Sequence, residues 1–185
     1  MTVESGLAAA GAAMRVGDPT LAETDVGPLI AAPEVARVAD WVGEAVGRGA
    51  ELLSGGGAVG ERAFLPTVLF DPPDDVRVST AEVFGPVVAV YPVDNMKEAA
   101  QRANAIPFAF QAAVLTRDFD TALAAFELFD ASTVLVNDHT AFRVDWMPFA
   151  GLKRSGLGVG GIGGTIRDMQ VERMLVMRRL PGDQA

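Results

Sequence analysis

The chain of 185 residues contains no cysteine. It therefore forms no disulfide, supplies no thiolate to a metal and offers no thiol as a nucleophile. Its single histidine, His139, cannot complete a zinc site alone, because such sites draw on several protein ligands. We therefore expect no metal site in this chain and no covalent chemistry through sulfur.

Basic residues and long apolar runs are also scarce. The chain has 15 lysines and arginines against 24 acids, a formal net charge of −9, which argues against nucleic acid or an anionic membrane surface as a partner. No run of about 18 uncharged apolar residues predicts a membrane-spanning helix. The segment Met1–Met14 lacks the basic head and apolar middle of a signal peptide. Together these absences fit a cytoplasmic protein.

What the chain does contain is a globular composition, with 50% hydrophobic and 21% charged residues. An alanine-rich helix is predicted over Ser5–Met14. A second helix is predicted from Pro33, which suits a first helical position, to a stop at Gly49. Between them, apolar residues at three- and four-residue steps form one stripe: Val35, Val38, Val42, Ala45 and Val46.

Short apolar runs predict strands separated by turns and helices. The run Phe64–Phe70 is strand-like, and Pro66 within it favours an edge strand or a bulge. Asp94 and Asp118 can each cap a helix that lies between two of the predicted strands. The resulting alternation of strands and helices predicts an α/β fold with a parallel open sheet flanked by helices. The predicted elements are a strand over Glu51–Leu53, strands over Val87–Tyr91, Ala112–Thr116 and Thr133–Val136, and helices over Met96–Ala103 and Asp120–Phe129.

The remainder is less regular. The segment Asn137–Thr165 shows no periodic element, and a loop of that length in a compact domain is usually functional. Gln170–Arg179 alternates well enough to predict a last strand. The glycine-rich stretch Pro148–Gly158 lies within the irregular segment. It does not follow a strand and open a helix, so it is not a phosphate-binding loop.

Two groups of side chains could carry chemistry. Glu82 and Phe84 precede Gly85-Pro86, a stiff corner, and the residues alone predict a turn with a solvated acid and a buried ring. His139, in the run that follows Asn137, is interpreted as a loop histidine rather than a catalytic one.

Several motifs occur in a fixed order: Glu82–Val87, then Asn137 at the end of an apolar run, then Met147–Gly158. In that order and spacing the chain resembles the back half of the NAD(P)-dependent aldehyde dehydrogenase superfamily, from about Met14 to Arg179. The resemblance implies that Glu82 accepts hydrogen bonds from the nicotinamide ribose of NAD or NADP and that Phe84 packs near the nicotinamide. One departure is Ala81, where the family usually has an acid.

The resemblance also implies which residues contact the aldehyde. Phe149 would line the aldehyde tunnel, and Thr140 is assigned to the substrate with it. Many members carry an aromatic residue where this chain has Arg143, and a guanidinium there would favour an aldehyde bearing a carboxylate, sulfonate or phosphonate. The run Asn137–Gly151 looks closest to phosphonoacetaldehyde-type dehydrogenases. The alternative for Arg143 is a surface salt bridge to Asp145.

The same resemblance implies the domain organisation. Residues 1–168 would form a partial catalytic domain, and residues 169–185 an oligomerisation strand and tail. An unpaired apolar strand edge favours association. Besides a small-molecule aldehyde, we therefore expect a second copy of this chain, or a full-length dehydrogenase, as a partner.

In the family a cysteine attacks the aldehyde, hydride passes to NAD(P)+ and water releases the acid. This chain has no cysteine, and the general base and the dinucleotide-binding domain of the family precede the region that it resembles. The hydroxyls of Ser132, Thr140 and Ser155 have no evident activating partner in the sequence. We therefore predict no catalytic residue here. The chain would be part of an aldehyde dehydrogenase and inactive alone, or a non-catalytic binding or assembly protein of the same fold.

Overall fold

A computed structural model describes residues 2–178. The chain divides into two compact units, Met1–Asp94 and Asn95–Ala185. Both units combine helices with short strands, as an α/β fold requires, and each is described by itself.

The first unit contains three helices and five strands. They are α1 (Val3–Ala13), α2 (Ala32–Gly47), β1 (Glu51–Ser54), β2 (Ala58–Val59), β3 (Ala63–Phe64), β4 (Thr67–Phe70), α3 (Arg77–Thr80) and β5 (Val87–Val90). Strand β4 is central in a three-stranded sheet, with β1 antiparallel on one side and β5 parallel on the other. Strands β2 and β3 form a separate antiparallel pair.

Helix α2 forms because its apolar residues lie on one stripe, and Val35, Val38, Val42 and Ala45 of this stripe belong to the core of the first unit. Val46, predicted as part of the same stripe, is exposed, because it lies one position past the buried Ala45 and so turns away from the core. Pro33 lies in the first turn of α2, and Gly49 follows the end of the helix with a φ of 110°, a conformation that glycine adopts readily. Both features were predicted. The stripe packs with residues from β3, β4 and the loop before α3, and the buried cluster comprises Val35, Val38, Val42, Ala45, Ala50, Phe64, Leu69, Val76 and Val78.

Within residues 95–178, the second unit contains three helices and four strands. They are α4 (Met96–Asn104), β6 (Phe108–Ala109), β7 (Gln111–Val114), α5 (Phe119–Leu128), β8 (Thr133–Val136), β9 (Leu152–Lys153) and α6 (Ile162–Asp168). Strands β7 and β8 are parallel and α5 connects them, which confirms the predicted strand–helix–strand pattern there. Strands β6 and β9 pair antiparallel.

The cap of α5 is as predicted, but that of α4 is not. The Asp118 carboxylate accepts hydrogen bonds from the amide and the hydroxyl of Thr121, and these hold the pKa of Asp118 below its ordinary value. At α4 the N-cap is Asn95, whose Oδ1 accepts from the amide of Glu98 at 3.0 Å, rather than Asp94. Asn95 stands three residues before that amide, the spacing at which a cap side chain reaches its donor.

Three predictions about strands need correction. The run from Phe64 to Phe70 is interrupted at Leu65-Pro66, because proline has no amide to donate. Its second part, β4, is the central strand and not an edge, since Pro66 lies before it. Strand β5 has its parallel partner in β4, which precedes it in the same unit, since an apolar run predicts a strand but not its neighbour. Strand β1 runs antiparallel to β4, so the sheet of the first unit is mixed and not wholly parallel.

The end of the chain also differs from expectation. The segment Asn137–Thr165, predicted to be irregular, contains β9 and the first turn of α6. The predicted strand Gln170–Arg179 is not formed over residues 170–178, and Arg179 lies outside the described residues. A strand exists only with a hydrogen-bonded neighbour, and this segment has none in the single chain. Its side chains are accordingly exposed, among them Val171, Met174, Leu175, Val176 and Met177.

Candidate functional site

The turn Glu82–Gly85 connects α3 to β5 and exposes to solvent the two side chains that are predicted to contact the cofactor. Phe84 has a φ of 47° and is 76% exposed. Glu82 is also exposed, whereas Val83 between them packs against the buried cluster of the first unit. The prediction of a buried ring is therefore wrong: Val83 takes the core position, and the alternation places both Glu82 and Phe84 outside.

Two features fix this turn against α2. A Cβ on Gly85 would lie 3.0 Å from Cγ2 of Val38, so glycine permits the close approach of the turn to the helix. Nη2 of Arg37 donates a hydrogen bond to the carbonyl oxygen of Val83 at 2.7 Å. A positive φ is unfavourable for phenylalanine and persists where the surroundings impose it. The turn is therefore held in a shape that exposes a carboxylate and a ring two residues apart.

The second unit brings together two of the residues predicted to contact a substrate. The guanidinium carbon of Arg143 lies 4.4 Å from the ring centroid of Phe149. Phe110, which lies between β6 and β7, meets Phe149 edge to face, with ring centroids 4.8 Å apart and an interplanar angle of 78°. Both contacts lie within favourable ranges for cation–π and aromatic pairs. Arg143, Phe149 and Phe110 are called the aromatic cluster below.

Backbone contacts hold Phe149 in place. Its amide donates to the carbonyl oxygen of Gly160 at 3.2 Å, and the Gly160 amide donates back at 2.7 Å. The hydroxyl of Ser155 accepts a hydrogen bond from the amide of Ala109 in β6 at 3.0 Å. The glycine-rich segment that follows Pro148 is thus tied to ordered strands, and the Phe149 ring, 46% exposed, is presented from a defined backbone.

The alternative interpretation of Arg143 is not supported. Among the ion pairs of residues 2–178 there is none between Arg143 and Asp145. The side chain is exposed, contacts Phe149 and donates weakly, at 3.4 Å, to the carbonyl oxygen of Met147. Its remaining donors face solvent, so the guanidinium can bind an anion without breaking an ion pair.

The other residues of the 137–143 run have structural or surface positions. Oδ1 of Asn137 accepts from the amide of Thr116 at 2.9 Å, which links the ends of β7 and β8. Thr140 is exposed and outside the aromatic cluster. His139 is exposed, with its Nε2 3.9 Å from Asp138, in agreement with a loop histidine.

Two hydroxyls that sequence analysis considered as nucleophiles have structural partners. The Ser132 hydroxyl donates to the carbonyl oxygen of Phe110 at 2.8 Å. The Ser155 hydroxyl is engaged with Ala109, as above. No group of three or more histidine, cysteine, aspartate or glutamate side chains within residues 2–178 could hold a metal ion. In the same part of the chain, no helix has the length and apolar character needed to cross a bilayer.

The predicted site residues divide between the units. Glu82 and Phe84 belong to Met1–Asp94, whereas Thr140, Arg143 and Phe149 belong to Asn95–Ala185. Their convergence on one ligand stays a prediction. An open groove of about 400 Å³ in the first unit is lined by α1, β1 and β4 and includes none of these residues.

Sequence analysis missed the contribution of Arg37 and Phe110 to these two sites. The Glu34–Arg37 spacing on a predicted helix was a visible signal for a helix-surface ion pair. Nothing local indicated that Arg37 contacts a carbonyl 46 positions away, or that Phe110 meets Phe149.

Comparison with known proteins gives consistent matches along the chain. Residues 2–174 match the model of the aldehyde dehydrogenase family. A 3-sulfolactaldehyde dehydrogenase from Priestia aryabhattai is 40% identical over 162 residues, which cover 88% of this chain and 34% of that protein. The chain thus spans about a third of the length of the curated relatives it matches.

Solved structures show the same similarity. Aldehyde dehydrogenase 21 from Physcomitrella patens, in complex with its reaction product succinate, matches with a TM-score of 0.91 at 36% identity, over 97% of this chain and 37% of that one. Glyceraldehyde-3-phosphate dehydrogenase GapN from Methanocaldococcus jannaschii, complexed with NADP, matches with a TM-score of 0.82 at 33% identity, over 88% of this chain and 35% of that one.

Proposed function

Because this chain belongs to the aldehyde dehydrogenase family, we propose that it supplies the nicotinamide-ribose contact and part of the aldehyde channel of an NAD(P)-dependent enzyme that oxidises aldehydes to acids. The observation that carries the proposal is the Glu82–Gly85 turn. Its exposed carboxylate and exposed ring stand two residues apart on a turn held against the core.

The turn fits a nicotinamide nucleotide by its chemistry. The Glu82 carboxylate can accept hydrogen bonds from both hydroxyls of a ribose, and hydrogen bonds to charged groups contribute about 1.5–3 kcal/mol each after exchange with water. Phe84 offers an apolar face to the nicotinamide ring. NAD or NADP, when bound, supplies the hydride acceptor. This chain's own residues bind and orient it.

The aromatic cluster supports a small anionic aldehyde as the substrate. Phe149 and Phe110 form an apolar wall, and Arg143 adds a cation fixed over one ring. The named substrates and products of relatives agree, since one acts on a sulfonated aldehyde and another binds the dianion succinate. We propose that Arg143 binds the anionic group of the aldehyde and that Phe149 packs against its carbon chain. We propose that Thr140 also contacts the substrate, at the entrance of the aldehyde channel.

The nucleophile and the general base are proposed to lie outside these 185 residues, since the chain has no cysteine and two of its hydroxyls are engaged structurally. A second candidate function is a non-catalytic assembly protein of this fold, favoured by the exposed apolar segment 170–178. In either case we propose association through residues 169–185 with a second copy or with a full-length dehydrogenase, in the cytoplasm.

Substitution of Arg143 tests the substrate proposal. The enzyme is a full-length family member that carries the Asn137–Gly151 loop, and the paired substrates are 3-sulfolactaldehyde and lactaldehyde, which differ only in the sulfonate. Arg143→Met is expected to lower kcat/KM for 3-sulfolactaldehyde by about 10–100-fold, the equivalent of a charged hydrogen bond, and to leave lactaldehyde nearly unchanged.

The matched control is Arg154→Met, which removes another arginine that lies over an aromatic ring, Phe108, at 5.4 Å. It is expected to affect both aldehydes equally. Equal losses for both aldehydes in Arg143→Met would remove the anion-binding role and leave Arg143 as a packing residue.

A further inference from the structure

One guanidinium contacts the backbone between the two proposed cofactor residues. Nη2 of Arg37 donates to the carbonyl oxygen of Val83 at 2.7 Å. That oxygen belongs to the peptide unit that joins Val83 to Phe84. Val83 is the residue between Glu82 and Phe84. Arg37 therefore holds the segment from which both side chains project. Among residues 2–178 it makes the one side-chain hydrogen bond to the backbone of the turn.

The position of Arg37 is itself fixed by neighbours on α2. Its Nε donates to Oε2 of Glu34 at 2.6 Å, and its guanidinium carbon lies 4.8 Å from the ring centroid of Trp41. These residues stand three before and four after Arg37, on the same helix face. The Arg37 side chain is 28% exposed, so its contacts are partly shielded from water. A planar guanidinium can make all three contacts at once, which an ammonium cannot.

The conformation of the turn needs this support. Phe84 has a φ of 47°, which a phenylalanine adopts only under constraint. Packing of Val83 and the close approach of Gly85 to Val38 fix the two sides of the turn but not the direction of the peptide plane. The Arg37 hydrogen bond fixes that plane, because it requires the Val83 carbonyl to point at α2.

We infer that Arg37 is a positioning residue for the nicotinamide nucleotide: it holds the Val83–Phe84 peptide so that Glu82 and Phe84 face the cofactor together. Arg37 touches no cofactor in this account and acts through the turn. The inference rests on the proposed function of Glu82 and Phe84. It predicts that loss of Arg37 disorders the turn and weakens the nucleotide contact without changing either contacting side chain.

The test uses the ¹⁵N-labelled 185-residue chain, with two readouts by NMR. The first is the amide order parameter of Phe84, and the second is the shift of the same amide at one subsaturating NAD+ concentration. In Arg37→Ala the order parameter is expected to fall from about 0.85 to below about 0.6. The NAD+-induced shift is expected to fall about tenfold, because a disordered turn no longer presents the Glu82 carboxylate for its charged hydrogen bond to the ribose.

The control is Arg48→Ala, which removes an arginine at the end of the same helix that pairs with Asp75 at 3.0 Å. It is expected to behave as the wild type in both readouts. An ordered turn in Arg37→Ala, equal to that in Arg48→Ala, would overturn the inference. If Arg37→Ala does not fold, Arg37→Lys replaces it: a partial loss of order supports the inference and an unchanged turn overturns it.

Failure of the proposed function gives a different result. In that case the wild-type chain shows no NAD+-dependent shift at the turn, or Glu82→Ala leaves the shift unchanged, whatever the order parameter does. Loss of order and a reduced NAD+-induced shift in Arg37→Ala, together with a wild-type shift that depends on Glu82, support both. Loss of order with an undiminished NAD+-induced shift in Arg37→Ala would overturn the inference and leave the proposed function standing.

Discussion

The purified 185-residue chain is expected to produce no NADH or NADPH from any aldehyde. The chain has no thiol, and loss of the nucleophile from a covalent mechanism lowers the rate by on the order of a millionfold. The hydroxyls of Ser132 and Ser155 offer no substitute, since they are engaged with Phe110 and Ala109. Thr140 makes no hydrogen bond to a basic side chain within residues 2–178.

The measurement is absorbance at the nicotinamide band with sulfonated, carboxylated and neutral aldehydes, and with a cysteine-containing relative as the positive control. The chain is expected to match the protein-free blank. Turnover that rises in proportion to the concentration of chain, and that survives repurification, would contradict the assignment of all catalytic groups to residues outside this chain.

Phe64→Ala is expected to remove a large share of the stability of the first unit. The Phe64 ring is fully buried among the valines of α2 and Leu69 of β4. Truncation of a buried phenylalanine costs about 3–5 kcal/mol, because apolar contacts are lost and a cavity remains. A domain has only about 5–15 kcal/mol in total, so the loss is a large share of it.

Urea unfolding followed by Trp41 fluorescence, in a Trp146→Phe background, reports on the first unit alone, since the chain has two tryptophans. The matched control is Phe84→Ala, which removes the same side chain from a position 76% exposed in the same unit. We expect a change there of less than about 0.5 kcal/mol. Similar losses in the two variants would show that Phe64 is not central to the core.

The longer helices were the features best predicted from sequence, whereas the short helices α3 and α6 were not predicted and the cap of α4 was misassigned. The valine stripe of α2 and its stop at Gly49 are local patterns, and so is the capping of α5 by Asp118. Each depends on residues within one or two turns of each other, which is why a sequence window contains the whole signal. The α/β class followed from the order of these elements.

Contacts between distant residues could not be predicted. The hydrogen bond from Arg37 to Val83 joins positions 46 apart, and Phe110 meets Phe149 across a similar separation. The short strand β9 was missed because two residues carry no periodic signal. The family resemblance indicated Glu82, Phe84 and Phe149, whereas the residues that hold them became visible only with the fold.

The predicted last strand shows a different limit of sequence analysis. Apolar alternation over residues 170–178 predicts a strand, yet no strand within residues 2–178 pairs with this segment and its side chains remain exposed. Its proposed partner is another polypeptide. Pairing with that partner stays a prediction, because a sequence pattern indicates a strand without naming its neighbour.

The most direct test of the central claim is an NAD+ titration of the ¹⁵N-labelled chain, with Glu82→Ala as the comparison. A nucleotide held through the ribose and one ring is expected to bind with a Kd on the order of 1 mM, about −4 kcal/mol. The account predicts amide shifts concentrated at Glu82–Gly85 in the wild type and lost in Glu82→Ala. Shifts confined to other residues, or unchanged by the substitution, would contradict it.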